Sequence, residues 1–579
     1  RYEPATGAVT GELRATVYPA RLLRVALAEF DVALPADLPV VSCQGPPPQF
    51  KVVVHRMTAE APLDAAVDFE LSAAGVRVAD GLFDRLRLRG SYDARRLLID
   101  EFQGKTGNRL TMAGSACYDH ASGQWLVQAQ GHGRPQGLAA FVDDKQARAD
   151  YRQAWQSFEF SPYAPPHFQV DVSGHGPLAG GNAVLTGRMA VASCRYNGVA
   201  LDGMKADITI DFNTRLMIID RVQVDRNGAP ASGSFVYWFD RDVERVDFDF
   251  ESNLDSNALM TMIDRSLRNE LKRQGWSFRS TPYVRGSGHA RMPKRVEGKD
   301  TFRVHLGAVA PQATWQDYNG KNVHAAVLLT QEKALIKGTA DVLAHHGWEH
   351  RDVTCSRLVV MDKEADGSFK AGQTATTAAA FHEPALDLMY TDGTVTLKSA
   401  TCSSVVIASG QQEEIVLGPT ACEHIVITSD SVRTSGKARD VVHRLAKSKQ
   451  TLASAARLTA EVVHQDDTLK IDGALEQITS HIHKLKSPSA TITARLKDEK
   501  IETRLATPKL EHEAGVVFQD CRVRAENRKD GTAVHFDAAK MLYDDLEARE
   551  VTGDLSFFGT QACRVSDARC RELVWGKLR

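Results

Sequence analysis

Two groups of histidines have spacings that metal chemistry uses, and they are the strongest candidates for a chemical site. His346, Glu349 and His350 form the pattern H-x-x-E-H, the signature of inverted zinc peptidases. In that chemistry both imidazoles bind one zinc ion from the same face of a helix, and the glutamate activates a water molecule. His481 and His483 alternate along the chain, so both imidazoles would share one face of a strand.

The surroundings of the first group favour a surface turn over a metal centre. Gly347 lies inside the first motif, and residues 334–343 before it have the pattern of a hairpin. No third ligand is suitably spaced beside His481 and His483, and the sequence contains neither G-x-S-x-G nor a P-loop. We therefore predict no catalytic residue, no metal ion and no cofactor, and we expect a protein that is not an enzyme.

Composition bounds the class of protein. The chain has 579 residues, of which 43% are hydrophobic and 25% charged, as in soluble globular proteins. Its formal net charge of −2 argues against a nucleic-acid partner, which usually selects a basic surface. The sequence has no apolar run long enough to span a membrane and no signal peptide. It begins at Arg1 in the middle of a pattern, so we expect a segment of a longer protein.

The nine cysteines are scattered, and none forms a C-x-x-C pair. A structural zinc site is therefore not indicated, and the odd number leaves at least one thiol without a partner in the same chain. Several cysteines fall inside strand-like runs, where cysteine behaves as a small buried hydrophobe.

Apolar and polar residues alternate through the middle of the chain, which is typical of antiparallel strands with one apolar face. Ile208 and Ile210 alternate with Asp207, Thr209 and Asp211, and turn residues separate successive runs of this kind. We predict that the apolar positions of three such strands line one continuous apolar surface. These candidate residues are Ile208, Ile210, Phe212, Val222, Val224, Val246, Phe248 and Phe250.

A short amphipathic helix is predicted after these strands. Leu259, Ile263, Leu267 and Leu271 recur every four residues, and Asp255 lies where a helix N-cap is expected. Such a helix could either cover the apolar face or lie beside it.

An internal repeat of about 120 residues organises the first part of the chain. The matching segments keep their order, for example Pro47-Pro48 with Pro165-Pro166, Ile99-Asp100 with Ile219-Asp220, and Trp155 with Trp276. Each unit has one apolar face and open edges, so neighbouring units must stack in order to bury it. We therefore predict a mostly β, elongated, antiparallel groove or solenoid-like sheet with short amphipathic helices.

The repeat gives the predicted organisation of the chain. We assign 1–49 to the end of an earlier repeat, 50–167 and 168–283 to two full repeats, and 284–351 to a partial repeat. Residues 352–579 are predicted to form a ladder of short strands, with a linker helix near 437–452.

The pattern of residues 196–259 resembles that of AsmA-like repeat proteins, which include the TamB and YhdP types of the diderm bacterial envelope. It contains Tyr196-Asn197-Gly198-Val199, Leu201-Asp202-Gly203-Met204 and Phe248-Asp249-Phe250-Glu251-Ser252. The resemblance covers about residues 1–345, and the C-terminal ladder is loosely similar to OstA-like lipopolysaccharide-transport modules.

The resemblance implies a periplasmic protein that is anchored in the inner membrane through a segment absent from this chain. It also implies a β-groove that passes phospholipid or another acyl lipid to the outer membrane, with envelope proteins as possible partners. The residues alone leave other functions open. A structural or adhesive solenoid would seal the same apolar face as a core, and a polysaccharide-acting solenoid enzyme would cluster acids and aromatic residues on one exposed face.

Overall fold

The structure, a computed structural model, divides the chain into two compact units. The first comprises residues 1–273 and 281–306, and the second comprises 274–280 and 307–579. The described residues are all except 1, 4–7, 19–40, 59–63, 79, 108–109, 142–144, 177–181, 240–242, 264–268, 270–271, 274, 279, 294–300, 362–363, 392–393, 410–411, 429–430, 466–467, 498–499, 529–530, 559–561 and 577–579.

The first unit is built on an antiparallel sheet in which strands pair in chain order. Pro-rich and glycine-rich segments separate these strands, and their side chains alternate between a polar and an apolar face. The strands of this sheet are β1 (Tyr2–Glu3), β2 (Ala8–Thr16), β4 (Gln49–Thr58), β5 (Ala66–Ala73), β8 (Arg85–Tyr92), β9 (Arg96–Lys105), β10 (Thr111–Asp119), β11 (Gln124–His132), β13 (His167–His175), β14 (Ala183–Val191), β17 (Gly203–Asp211), β18 (Leu216–Arg226), β19 (Ala229–Phe239), β20 (Val243–Ser252) and β22 (Tyr283–Pro293).

Two three-stranded sheets of short strands lie beside the main sheet. The first consists of β3 (Val41–Cys43), β6 (Val76–Val78) and β7 (Gly81–Phe83), and the second of β12 (Phe158–Phe160), β15 (Cys194–Tyr196) and β16 (Val199–Leu201). The unit also contains a 3₁₀ helix (Pro135–Phe141) and the helices α1 (Lys145–Trp155) and α2 (Ser256–Ile263).

The predicted helix after the strands is present as α2. Asp255 caps it, because its Oδ1 accepts a hydrogen bond from the backbone N–H of Ala258 at 2.9 Å. Leu267 and Leu271, which we predicted in the same helix, lie outside the described residues.

The second unit is also an antiparallel β-structure. Its strands are β21 (Trp276–Phe278), β23 (Thr301–Trp315, whose first residues belong to the first unit), β24 (Tyr318–Thr330), β25 (Ala334–His345), β26 (Trp348–Met361), β27 (Glu364–Lys370), β28 (Gln373–Ala375), β29 (Ala379–His382), β30 (Ala385–Thr391), β31 (Thr394–Cys402), β32 (Ser404–Ser409), β33 (Glu413–Leu417), β34 (Thr420–Ile427), β35 (Ser431–Leu445), β36 (Thr451–Gln465), β37 (Thr468–Ser480), β38 (Leu485–Lys497), β39 (Lys500–His512), β40 (Val517–Arg528), β41 (Gly531–Tyr543), β42 (Leu546–Phe558), β43 (Ala562–Arg569) and β44 (Glu572–Trp575).

Between β26 and β35 the short strands form two series that lie side by side, and within each series neighbouring strands pair antiparallel. One end of β26 pairs with β27 and the other end with β28, and β35 likewise pairs with both β33 and β34. Each short strand is thus one half of a broken long strand. Gly372 marks one such break, between β27 and β28.

The structure confirms a mostly β, antiparallel fold, with 76% of the described residues in strands. Two details of the predicted C-terminal ladder are wrong. The linker helix near 437–452 is absent, because this segment forms the end of β35 and the start of β36. Strands from β35 to β42 have 12 to 15 residues, so they are not short.

Backbone irregularities explain both errors. Asp440 has a positive φ of 51° in the middle of β35, which interrupts the alternation and gives apolar residues a helix-like spacing. Gly436 and Gly473 lie inside β35 and β37, although glycine in a sequence usually marks a turn.

Candidate functional site

The eight predicted lipid-binding residues lie on one face of the first unit's sheet. Seven are within β17, β18 and β20, and Phe212 directly follows β17. Ile208 is opposite Ile219 on β18, and Phe248 is opposite Phe235 on β19. The intervening strand β19 adds Phe235 and Tyr237 to this face, and neither was among the predicted residues. Their alternation with Ser234 and Val236 has a period of two, which could have indicated that they belong to the same face.

Of the eight predicted residues, Ile208 and Phe248 belong to a row that crosses the sheet of the first unit from β2 to β22. The row takes one residue from each successive strand, and each member is directly opposite the next, so all point to one face. Every member is half-buried, and Leu71 packs against the buried cluster of Ala73, Val76 and Phe83. The members of this first apolar row are Ala15, Phe50, Leu71, Leu88, Phe102, Gly114, Ala129, Val170, Gly187, Ile208, Ile219, Phe235, Phe248 and Gly288.

The second unit has a row of the same kind. All members are apolar or glycine, and all are half-buried except Gly553, which is buried. The members of this second apolar row are Ala325, Gly338, Cys355, Phe369, Leu386, Ala400, Cys422, Gly436, Ala460, Gly473, Ile492, Leu505, Val523, Phe536 and Gly553.

Large buried side chains are scarce in the described part of the second unit. The buried hydrophobic residues there are mostly alanines, together with Val405, Leu452 and Cys521. A closed sandwich of this length would bury many Val, Ile, Leu and Phe side chains. The apolar face of this unit is therefore accessible rather than packed against a second layer.

Phenylalanine rings lie close to glycines on the apolar faces of both units. Examples are Phe69 over Gly90, Phe102 over Gly114, Phe248 over Gly288 and Phe536 over Gly553, where an added Cβ would come within 2.9 Å of the ring or closer. Each ring fills the space that a side chain would occupy above the glycine, so the sheet keeps an apolar surface there.

One end of this face is sealed in the second repeat. Val224 is 8% exposed and packs in a core with Phe160 and Leu201 of the short strands and with Ala258 of α2, and Val222 packs against the same core. These two residues, which we predicted to line the lipid surface, are therefore part of a closed core. The short sheet folds over them, which alternation along β18 could not reveal.

The remaining candidates are accessible to different degrees. Phe212 is 44% exposed, just beyond the end of β17. Ile208, Ile210, Val246, Phe248 and Phe250 are half-buried. The structure thus brings six of the candidates together on an accessible surface and places two in the neighbouring core.

Trp155 lies in this core, as its place in the repeat predicts. It packs against the core cluster, and its ring centroid is 5.4 Å from that of Phe158. The neighbouring Tyr151 is largely buried and donates a hydrogen bond to the backbone oxygen of Pro135 at 3.1 Å. Burial raises the pKa of Tyr151 to about 12.

The polar atom of Tyr237, on the apolar face, has a partner. The hydroxyl of Tyr237 donates a hydrogen bond to Glu244 on the adjacent strand. Burial, followed by this hydrogen bond to a carboxylate, raises the pKa of Tyr237 above its usual range. The hydroxyl therefore stays protonated, and Tyr237 presents mainly its ring to the apolar surface.

A cavity of about 1250 Å³ lies against the opposite, polar face of the first unit. Its lining includes the basic side chains Arg85, Arg87, Lys105, His132, His167 and Arg188, and no acidic residue among those the structure describes. Such a lining attracts anions. It faces away from the apolar row, so it is a separate feature from the predicted lipid surface.

The structure does not support a zinc-peptidase site at H-x-x-E-H. His346 and Gly347 form a hairpin turn with positive φ angles of 44° and 82°, and Glu349 and His350 lie on the strand β26 rather than on a helix. His350 is engaged through Nδ1, which is 2.9 Å from Oγ1 of Thr374. Burial, and then the nearby His345, lower the pKa of His350.

His481 and His483 lie in the exposed turn that follows β37. His481 contacts Ser454, whose Oγ is 3.3 Å from its Nε2. The surface turn predicted at the first histidine group is present at His346 and Gly347, whereas His481 and His483, which we predicted on one strand face, lie in a turn.

None of the helices that the structure describes is both long enough and apolar enough to cross a bilayer. Comparison with known proteins adds no assignment: no family model matches the chain, and no curated protein matches it significantly.

Proposed function

We propose that each of the two apolar rows forms a surface that holds the acyl chains of phospholipid or a similar lipid. The observation that carries this proposal is that every residue of the first apolar row is half-buried and accessible. A sheet that used this face as an ordinary core would bury most of these side chains completely.

The energetics favour such binding. Transfer of one methylene from water to an apolar surface contributes about 0.8 kcal/mol, so even partial burial of an acyl chain gives several kcal/mol. The row contains glycines whose side-chain space is filled by a neighbouring ring, such as Gly288 beside Phe248, so few side chains project from it. A flexible chain can then shift along the surface without crossing a steric barrier at each strand.

The resemblance to AsmA-like repeat proteins supports a location and a direction for this activity. In this proposal the protein acts in the periplasm and conducts lipid between the inner and outer membranes of a diderm envelope. Its attachment to the inner membrane would come from a segment outside this chain, and other envelope proteins would contact its ends.

Photocrosslinking in cells tests the proposal. A photoreactive amino acid at Ile210 or Phe248, both half-buried on the apolar face, should yield adducts that contain lipid by mass spectrometry. Matched positions are Asp249, exposed on the opposite face, and Val224, buried in the core. These two should yield no lipid.

Equal lipid labelling at Phe248 and Asp249 would contradict a specific apolar surface. Adducts at Ile210 that contain protein alone would favour a structural or adhesive solenoid whose face is covered by a partner.

A further inference from the structure

Two adjacent hairpin turns of the second unit bring three potential metal ligands together. The first turn, Gln316–Asp317, joins β23 to β24, and the second, His346–Gly347, joins β25 to β26. Since β24 and β25 are paired, with Asn319 opposite Ala344, the two turns lie next to each other at the same end of these strands.

The ligand atoms of Asp317, His345 and His346 lie within 4.8 Å of one another. Oδ2 of Asp317 is 3.3 Å from Nε2 of His346, which is close to the separation of two ligands on one zinc ion. A carboxylate oxygen with two imidazole nitrogens is the donor set of many zinc sites with an open position.

Neighbouring aromatic rings hold His345 in place. Its imidazole stacks on Tyr318, with ring centroids 3.9 Å apart and planes inclined by 12°. Tyr318 in turn stacks on Trp315 at 5.5 Å. His346 meets the ring of His345 edge-on at 4.1 Å, so the positions of the two imidazoles are linked.

The backbone also favours this arrangement. Gln316 and His346 adopt positive φ angles of 50° and 44°, as in the tight two-residue turns that join paired strands. Short turns of this type have few alternative conformations, so Asp317 and His346 remain near each other without a bound ion.

We propose that Asp317, His345 and His346 bind a divalent transition-metal ion, with Zn²⁺ as the best match to the donor set. The side chains of Asp317 and His346 are 68% and 66% exposed, so an ion can enter from solvent and keep water in its remaining position. The ion ties the β23–β24 turn to the β25–β26 turn, and above its Kd it stabilises the folded state by an amount that rises with the logarithm of its free concentration.

This site is independent of the lipid surface. Its ligands are in turns at a sheet edge, and none of them belongs to either apolar row. It is also different from the H-x-x-E-H site, because His350 is engaged with Thr374 and Glu349 with Arg351.

Titration calorimetry with ZnCl₂ tests the proposal on the full chain, freed of any histidine tag and treated with a chelator before dialysis. We expect binding of one Zn²⁺ per chain. Substitutions His345→Ala, His346→Ala and Asp317→Ala should each weaken it about tenfold or more. The double substitution H481A/H483A is the matched control, since it removes two exposed turn histidines elsewhere, and it should leave binding unchanged.

Co²⁺ provides a second readout that does not depend on affinity alone. The unmodified chain should give the visible absorption of Co²⁺ bound to nitrogen and oxygen ligands, and His346→Ala should abolish it while the far-ultraviolet circular dichroism stays the same. Zn²⁺ affinity that is unchanged in both His346→Ala and Asp317→Ala would overturn the proposal. So would equal losses in these variants and in the control.

Discussion

The ring of Phe248 lies across Gly288 on the adjacent strand, and a Cβ added to Gly288 would stand 2.9 Å from its Cζ and 2.7 Å from the backbone oxygen of Arg303. A side chain at Gly288 therefore requires both the ring and the next strand to move. The pair Phe248–Gly288 shows why glycine recurs on the apolar face, where the backbone itself forms part of the surface.

The first prediction concerns this pair. Gly288→Ala should lower the stability of the chain by about 1–3 kcal/mol, because it overpacks a contact that cannot relax freely. The midpoint of urea unfolding, followed by circular dichroism, should fall. Gly203→Ala is the matched control, since its added methyl meets only the backbone oxygen of Val191 at 3.9 Å. An equal loss in both variants would show that the cost comes from the loss of glycine alone.

The second prediction separates the core from the accessible surface. Val224→Asp should destabilise the fold by about 3 kcal/mol or more, because its carboxylate would be buried without a partner. Ile210→Asp should cost about 1 kcal/mol or less, because its carboxylate can reach water, and it should weaken lipid binding. Thermal unfolding and binding of a fluorescent fatty acid measure the two effects. Similar loss of stability in both variants would mean that Ile210 also lies in a sealed core.

The third prediction concerns alkaline pH. The pKa of Tyr151 is raised from about 10 to about 12 in the folded chain, so between these values the folded state binds more protons than the unfolded state. Tyr151 therefore contributes stability that is present below pH 10 and is lost as pH rises to 12. Two pKa units correspond to about 2–3 kcal/mol.

Tyr151→Phe removes this titration. Urea midpoints at pH 9 and at pH 11 should differ less for Tyr151→Phe than for the unmodified chain. The same pH dependence in both proteins would show that the hydroxyl of Tyr151 is not buried.

The fourth prediction concerns acid pH. Glu414 is 9% exposed and binds Lys449, with Nζ and Oε1 2.7 Å apart, and Arg444. Lys449 and then Arg444 lower the pKa of Glu414 below its usual 4.5, so its contribution to stability is present above this value and is lost as pH falls through the folded pKa.

Glu414→Gln should therefore lower the free energy of unfolding by about 1–2 kcal/mol at pH 7. The expected loss is small because Lys449 is largely exposed. It should shrink further below pH 4. Glu423→Gln is the control: Glu423 pairs with Lys437 across 3.7 Å on an exposed surface, and its loss should be close to zero. A cost at pH 7 that persists unchanged at low pH would point to altered packing instead of the ion pair.

The alternation of Ile208 and Phe248 with acidic residues was sufficient to predict which face of the sheet is apolar. It was not sufficient to predict what covers that face. Val224 is sealed by Phe160 and Leu201, which are distant in sequence, and a period of two carries no information about a second layer.

The turn at Asp317 illustrates another limit of the sequence. Its partners His345 and His346 follow a whole strand later, so the three residues form no local motif. They meet because β24 and β25 pair in a register that brings their turns together, and register depends on the pairing of entire strands.

From β35 to β42, each strand pairs with its predecessor and its successor in the chain. A closed barrel ties its strand number to its tilt and stagger, but an open ladder of this kind has no such constraint. Deleting one whole hairpin here would shorten the ladder by about 10 Å and keep every remaining side chain on its original face. Evolution can therefore lengthen or shorten such a sheet two strands at a time without redesigning either surface.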